Sequence, residues 1–530
     1  MKTTNLKRLG GGLISLAFAI ATPSGIAAES AEQIINRTCI ACHTADDDQQ
    51  WSRISQQRKS PEGWLMTIAR MQIMHGLQIN EDERRTLVKY FADHQGLAPS
   101  ETEGVRYALE RRLNTMESFD SQQFTEMCAR CHSGARVKLQ RRPAEEWEHL
   151  VHFHLGQWPT TEYQSLARDR DWFEIALNEM VPELAETLPL ESDAWDEWQQ
   201  RPESQVAGNW TLAGHMPGRG SFHARMNVSE ADGKDQYNLT LDGEYADGKA
   251  IHGEGSAIVY TGFEWRANLN IDGTAMRQVF ALKDNQLKGR MFHRDHDEVG
   301  ADVIAARDGG DAGRILALQP AYIKAGTEAE IHIIGANLDG SPEIEDGIEL
   351  IEILEQSDSL IRIRAKAAED ESGSKAVSIG ATKSEGLVVY DRIAQINVVP
   401  EFAVARVGGN GSSTPKVEAR FEAEAWAAGA DATMGTDDDY RIGLVPATWS
   451  VAPYNETAEA DEDVRFAGTM DSATGVFTPA AAGPNPERRM MTNNAGNLTV
   501  QAMVKDGDQT LNAEGHMIVT VQRWNNPPIP

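Results

Sequence analysis

Two periodicities divide the chain. From about residue 29 to 204 apolar positions recur at helical spacing, and beyond about 205 they alternate, as in "QYNLTLDGEYADG", "GSAIVYTGFEWRANLNIDG" and "QVFALKDNQLKGRMFH", broken by Gly, Asn and Asp. The first pattern predicts helices and the second antiparallel sheet. The helical part contains a repeat: "SPEGWLMTIARMQIMHG" and "RPAEEWEHLVHFHLGQWP" each run from a proline through a glutamate to a tryptophan. With Trp64 and Trp147 as origins, a period of about 3.6 puts Ile68, Met71 and His75 on one face in the first copy, and Val151, His154 and Trp158 in the second. Each copy closes with a further helix. Asn80 is placed to cap "NEDERRTLVKYFADHQGL", with Glu83 three residues on and Leu87, Val88 and Phe91 inward; Thr160 or Thr161 opens "TTEYQSLARDRDWFEIAL".

The alternating part splits into three units. Residues 205–312, opening at "GNWTLAGHM", read as a small closed barrel or meander; residues 313–400 and 401–530 read as immunoglobulin-like sandwiches. The expected fold class is therefore multidomain: an all-α region of two modules, residues 29–110 and 111–204, followed by all-β domains, namely an antiparallel β-barrel and two immunoglobulin-like β-sandwiches.

Charge and export narrow the setting. The 530 residues carry 50 Lys and Arg against 80 Asp and Glu, a formal charge of −30 that repels nucleic acid. The start has Lys2, Lys7 and Arg8, an apolar run from Leu13 to Ala21 and small residues near Ala27 and Ala28, which reads as a secretory signal over residues 1–28. The run is half of the roughly 20 residues a membrane-spanning helix needs. The expectation is an exported, periplasmic protein with a cleaved signal.

Such a compartment favours disulfides, yet all four cysteines lie in "CIACH" and "CARCH". Cys-x-x-Cys-His is the attachment signature of c-type haem: two thiols on a short helical turn reach two vinyl groups, and the adjacent histidine binds iron. Cys39, Cys42 and His43 form one expected site, and Cys128, Cys131 and His132 the other. A Cys₄ zinc site pairing the motifs meets the same ligand count, and a redox dithiol is the remaining alternative. Two covalent haem c groups are the expected cofactors. Each iron needs a sixth ligand, and the shared position seven residues after the tryptophan supplies one: Met71 for the first haem and His154 for the second, both iron-binding residue types. Met74 and His75 compete in the first copy, His149 and His152 in the second.

The β region offers little chemistry. His293 and His296 in "MFHRDHDEVGAD" have ligand atoms for a metal but read better as a hairpin tip, and Asp437 to Asp439 lack the spacing of a calcium-binding EF-hand loop. No nucleophile elbow, phosphate loop or zincin motif occurs, and no catalytic residue is assigned.

The order of parts, with "CIACH", "CARCH", "GNWTLAGHM", "PYNETAEADEDVRF" and "GPNPERRMMTNNAGNLTV", resembles the alpha subunit of quinohemoprotein amine dehydrogenase over essentially the whole mature chain. The resemblance implies a heterotrimer with a β-propeller subunit and a small subunit. That small subunit carries cysteine tryptophylquinone, which oxidises primary amines to aldehyde and ammonia. It also implies that this chain passes the electrons to a soluble acceptor such as azurin or a cytochrome c, through one haem with two His ligands and one with His and Met. Two other readings compete. A stand-alone dihaem peroxidase would use Met71 as a displaceable ligand, and a haem-bearing binding protein would use Trp426, Trp449 or Trp524 as surface platforms.

Overall fold

A computed structural model of the chain describes residues 29–521, apart from 48–49, 164–167, 203, 310–312, 411–413 and 490–492. The signal segment expected at 1–28 and Trp524 lie outside the described residues. A helical N-terminal region is followed by domains built of β-strands. No helix among the described residues is long and apolar enough to cross a membrane.

The first module holds α1 (Ala31–Thr38), α2 (Pro61–His75), α3 (Glu81–His94) and the short α4 (Pro99–Thr102). Local chemistry sets their ends. Ser60 caps α2, Pro61 fills its first turn, and Gly76, at φ 74°, lets the chain turn away at the other end. Asn80 and Glu83 form the expected reciprocal capping box on α3. Trp64, Ile68, Leu87, Val88 and Phe91 meet in one core, with Trp64 stacked on Phe91 at 4.7 Å.

The second module holds α5 (Gln122–Cys128), α6 (Ala135–Lys138), α7 (Ala144–Gln157), α8 (Thr160–Tyr163), α9 (Trp172–Ile175) and α10 (Val181–Thr187), and α11 (Asp193–Gln199) follows. The helix expected to run on from Thr160 is divided, because the polar run Arg168–Asp171 turns. Arg168 Nε donates to the Tyr163 carbonyl at 2.9 Å, and Arg130 pairs with Asp169 at 2.8 Å. Trp147, Val151, Phe124 and Trp172 form this module's core.

An antiparallel ribbon joins the modules: Arg58 lies opposite Arg141 and Lys59 opposite Gln140. Arg58 and Arg141 are the residues six before Trp64 and Trp147, so repeat-equivalent positions pair with each other. That is the mark of an approximate local twofold axis. Arg70 and Phe153, both six after their tryptophans, also meet, with the guanidinium 4.8 Å from the ring centre. Glu101 holds the ribbon, accepting from both terminal nitrogens of Arg58 at 2.8 Å and from Arg141 Nε at 3.2 Å.

Eight antiparallel strands between Gly208 and Arg307 form a closed barrel, each pairing with the next and Gly300–Arg307 closing on Gly208–Met216. Trp210, Trp265, Phe222, Phe280 and Met226 fill it. The helical region docks on its flank through an ion-paired chain, Arg106 to Glu264 at 2.6 Å, Glu264 to Arg266 at 2.8 Å and Arg266 to Glu62 at 2.6 Å. An apolar seam of Leu97, Val105, Leu109, Leu139, Val279 and Phe292 runs beside it.

Two four-stranded sheets follow, one built on Arg314–Gln319, Glu328–Ala336, Leu360–Ala367 and Ile348–Gln356, the other on Tyr322–Lys324, Thr382–Tyr390, Gly373–Ile379 and Pro342–Ile344. One core of Ile331, Ile333, Ile361, Ile363, Val377 and Val389 lies between them, as in a sandwich. The last domain has one four-stranded and two three-stranded sheets around Phe421, Phe477, Trp449, Leu498 and Met517.

Candidate haem sites

The two pentapeptides sit at helix ends. Cys39 follows the last residue of α1, and the amides of Cys42 and His43 both donate to its carbonyl, at 3.1 and 2.9 Å, so a tight turn presents both thiols and the imidazole together. Cys128 is the last residue of α5, with Cys131 and His132 in the turn after it. None of the four cysteines is in a disulfide; Cys42 and Cys131 are exposed and their partners half-buried. Burial pushes the Cys128 thiol up to about 12 and raises Cys39 as well, which keeps both as neutral thiols at pH 7. Among the described residues no group of three or more His, Cys, Asp or Glu side chains converges to hold a metal.

The imidazoles are oriented by their Nδ1 atoms. His43 Nδ1 bonds the Ser52 carbonyl at 2.9 Å, His132 Nδ1 the Ser133 carbonyl at 3.0 Å and His154 Nδ1 the Leu150 carbonyl at 2.8 Å. A carbonyl only accepts, so in all three rings Nδ1 carries a proton, and in the neutral ring it is Nε2 that keeps the lone pair. That is the state an iron ligand requires.

His132 and His154 are brought together, close enough for the charge of one to act on the other. Both are half-exposed by area, yet loss of hydration lowers the proton affinity of each, a combination that fits rings lining an open cleft. His154 also lies 5.7 Å from the Trp172 ring. Its competitors turn elsewhere: His149 Nδ1 contacts Glu146 at 3.2 Å, and the exposed His152 faces Glu148 and Phe173. In the first module Trp64 and Ile68 are buried and Met71, one turn beyond, is half-buried, while Met74 is 54% exposed and His75 is exposed. Met71 and His43 share that module, and no hydrogen bond joins them.

The donor set therefore fits haem in two places. His132 and His154 offer paired lone pairs beside Cys128 and Cys131; His43 offers one beside Cys39 and Cys42, with a thioether at Met71. Trp147 Nε1 and Arg142 Nε are buried donors with no protein acceptor.

Four family models match successive parts of the chain. They are described as the haem-binding region of the quinohemoprotein amine dehydrogenase alpha subunit, residues 29–195, and its domains II, 203–308, III, 312–391, and IV, 396–529. The chain belongs to the quinohemoprotein amine dehydrogenase alpha-subunit family. Family membership makes it a subunit of an amine-oxidising oxidoreductase with a haem-binding region and implies partner subunits. No curated protein matches its sequence. Among solved structures, a redesigned β-barrel is 14% identical over 19% of this chain and 91% of that one, with a TM-score of 0.18. SGBP-B of the Bacteroides ovatus mixed-linkage glucan utilization locus, solved with a mixed-linkage heptasaccharide, is 10% identical over 62% of this chain and 72% of that one, also at 0.18. At such scores neither bears on fold or function.

The other sequence candidates are structural in their surroundings. His293 and His296 lie at the turn before the closing barrel strand, where His296 contacts Glu298 at 3.3 Å. Asp438 and Asp439 spend carboxylate oxygens on Asp431, Gly435 and Thr436 of their own loop. Trp449 is core, and Trp426 Nε1 donates to Glu424 at 3.0 Å. Sequence reasoning missed Lys59, Arg70 and Arg136, which gather beside the second site. The signal was present: Lys59 and Arg142 both stand five residues before their module's tryptophan.

Proposed function

We propose that this chain is the dihaem electron-transfer subunit of a periplasmic quinohemoprotein amine dehydrogenase. Cys39 and Cys42 would hold one haem c, with His43 and Met71 as its iron ligands, and Cys128 and Cys131 would hold another, with His132 and His154. The observation that carries this reading is the second pair of imidazoles, juxtaposed, with both Nδ1 atoms committed to carbonyls. Haem held by these residues would supply one-electron redox chemistry.

The chain's own residues supply the rest. Ser52, Ser133 and Leu150 fix imidazole orientation through their carbonyls. Trp64 and Trp147 anchor the helices that present Met71 and His154, and their cores keep water from one side of each site. A Met ligand raises the potential relative to a second His, so the unlike pairs make two haems of different potential. Electrons enter from cysteine tryptophylquinone in a small partner subunit, where a primary amine becomes aldehyde and ammonia, and leave to azurin or a cytochrome c. A β-propeller subunit completes the heterotrimer. The domain boundaries proposed are 29–110, 111–204, 205–312, 313–400 and 401–530, with immunoglobulin-like folds for the last two and a signal peptide over 1–28.

Gentle purification from the native host followed by mass spectrometry tests the assembly. The expected result is two further chains, the smaller bearing a cross-linked quinone, and haem reduction on adding a primary amine. Haems that stay oxidised when amine meets the intact complex reject the reading.

A further inference from the structure

The ribbon between the modules concentrates positive charge in a protein of net −30. Much of it is answered: Arg58 and Arg141 by Glu101, Arg142 by Glu146 at 3.5 Å, and Arg53 by Glu146 at 2.7 Å. Three cations differ. Lys59 is 4% exposed; its ammonium donates to Thr67 Oγ1 at 2.7 Å and lies 5.3 Å from the Trp64 ring centre. Arg70 rests on Phe153, and Arg136 Nη2 reaches the Met66 sulfur at 2.9 Å. None of the three has a carboxylate within ion-pair distance among the described residues, although the charge of Glu146 reaches Lys59.

The repeat explains why Lys59 lacks one. Its equivalent is Arg142, which stands over Trp147 as Lys59 stands over Trp64, at 5.7 Å. Arg142 is paired with Glu146, one residue before its tryptophan; the matching residue in the first module is Gly63. A Cβ at Gly63 would lie 2.9 Å from Lys59 Cβ, so no carboxylate-bearing side chain fits there without displacing the lysine. Burial, with Arg142, Arg70 and Arg136, holds the proton affinity of Lys59 well below the usual lysine value, and an anion that met the ammonium would restore its charge.

The three cations lie together and near the second site. Arg136 acts on Arg70, both act on Lys59 and on His154, and Arg136 acts on His132 as well. Arg136 is exposed by area and still depressed by loss of hydration, as a group in the mouth of a cleft would be. Arg70 comes from the first module, yet the imidazole it acts on, His154, belongs to the second.

We propose that Lys59, Arg70 and Arg136 form an anion-binding cleft across the module interface that takes the propionate carboxylates of the haem held at Cys128, Cys131 and His132. The buried donors Trp147 Nε1 and Arg142 Nε are further hydrogen-bond sources beside it. The inference rests on the dihaem reading above.

Redox titration of the full chain with both haems, resolved optically, tests it. Lys59→Met and Arg70→Met remove one charge each at nearly constant volume. Reduction adds negative charge, so losing a cation beside the haem disfavours the ferrous state. The ferrous-to-ferric ratio of the second haem at fixed potential should fall about tenfold, equivalent to about 59 mV for one electron. Arg136→Lys should keep most of the wild-type value, whereas Arg136→Met should not. Arg85→Met, which removes an exposed cation paired with Glu81 on the same module, should leave that haem unmoved. An unchanged second haem in both Lys59→Met and Arg70→Met, or a shift confined to the first haem, overturns the cleft. If mass measurement of wild-type chain finds no covalent haem on Cys128 and Cys131, the dihaem reading itself fails and the cleft falls with it.

Discussion

At the residue scale, one hydrogen bond per imidazole prepares the site. His43, His132 and His154 each place Nδ1 on a backbone carbonyl, and none of these bonds depends on a distant side chain. The tautomer is therefore set by local backbone geometry, within nine residues for His43, one for His132 and four for His154. His154→Met tests the axial assignment. Met at that position should raise the second haem's potential relative to two His ligands and introduce the spectrum of a His and Met pair; an unchanged potential and spectrum would assign the ligand elsewhere. This scale was also the most legible in the sequence. The pentapeptides announce their chemistry in five consecutive letters. The proposal of His154 as a ligand likewise needs only a count of seven residues past a tryptophan. Lys59, Arg70 and Arg136 were not legible in that way, because what distinguishes them is a missing carboxylate, and partners that come from another module have no fixed spacing.

At the scale of elements, helix ends were readable because caps are local: Asn80 and Glu83 close their box across three residues. The turn at Arg168–Asp171 was not, since the contact of Asp169 with Arg130 spans 39 residues. Strand alternation identified the barrel region, yet closure is a pairing of its first and last strands that no window along the chain can contain. The joint between helices and barrel likewise rests on long-range pairs. Glu264 is 2% exposed and lies between Arg106 of the helical region and Arg266 of its own strand, and their charges hold its carboxyl below the usual range despite burial. Glu264→Gln keeps the shape and leaves two cations facing a neutral amide. Breaking a buried pair from one side costs about 3–5 kcal/mol. Urea unfolding of the variant should show a loss of that order; a loss under about 1 kcal/mol, the range of exposed pairs, would mean that water reaches this joint.

At the scale of the whole molecule, the barrel is the hub on which the other domains dock, and one of its joints carries a titratable core. Ala213 of the barrel packs with Ile334 and Leu360 of the first sandwich, and beside this seam His223 meets His332 with ring centres 6.4 Å apart. Burial lowers the proton affinity of His223 first of all; His332 and Arg362 add to the effect, while Glu244 and Glu355 oppose it. The folded joint therefore prefers a neutral ring. Above the unfolded pKa of about 6.5 both states are neutral and the joint contributes its full stability. As pH falls below that value the unfolded chain takes up the proton first, and stability is lost until the depressed folded pKa is passed. The barrel also meets the last domain through His215 and Glu422, 2.5 Å apart. A pH series on the wild type alone would mix these effects with those of His132 and His154, so a difference is needed. His223→Gln keeps a polar side chain of similar reach and removes the titration. The urea midpoint of the wild type should drop more between pH 7.5 and pH 5.5 than that of the variant. Equal drops would show that the joint opens to water before His223 protonates, and that the barrel and sandwich are held by the apolar seam alone.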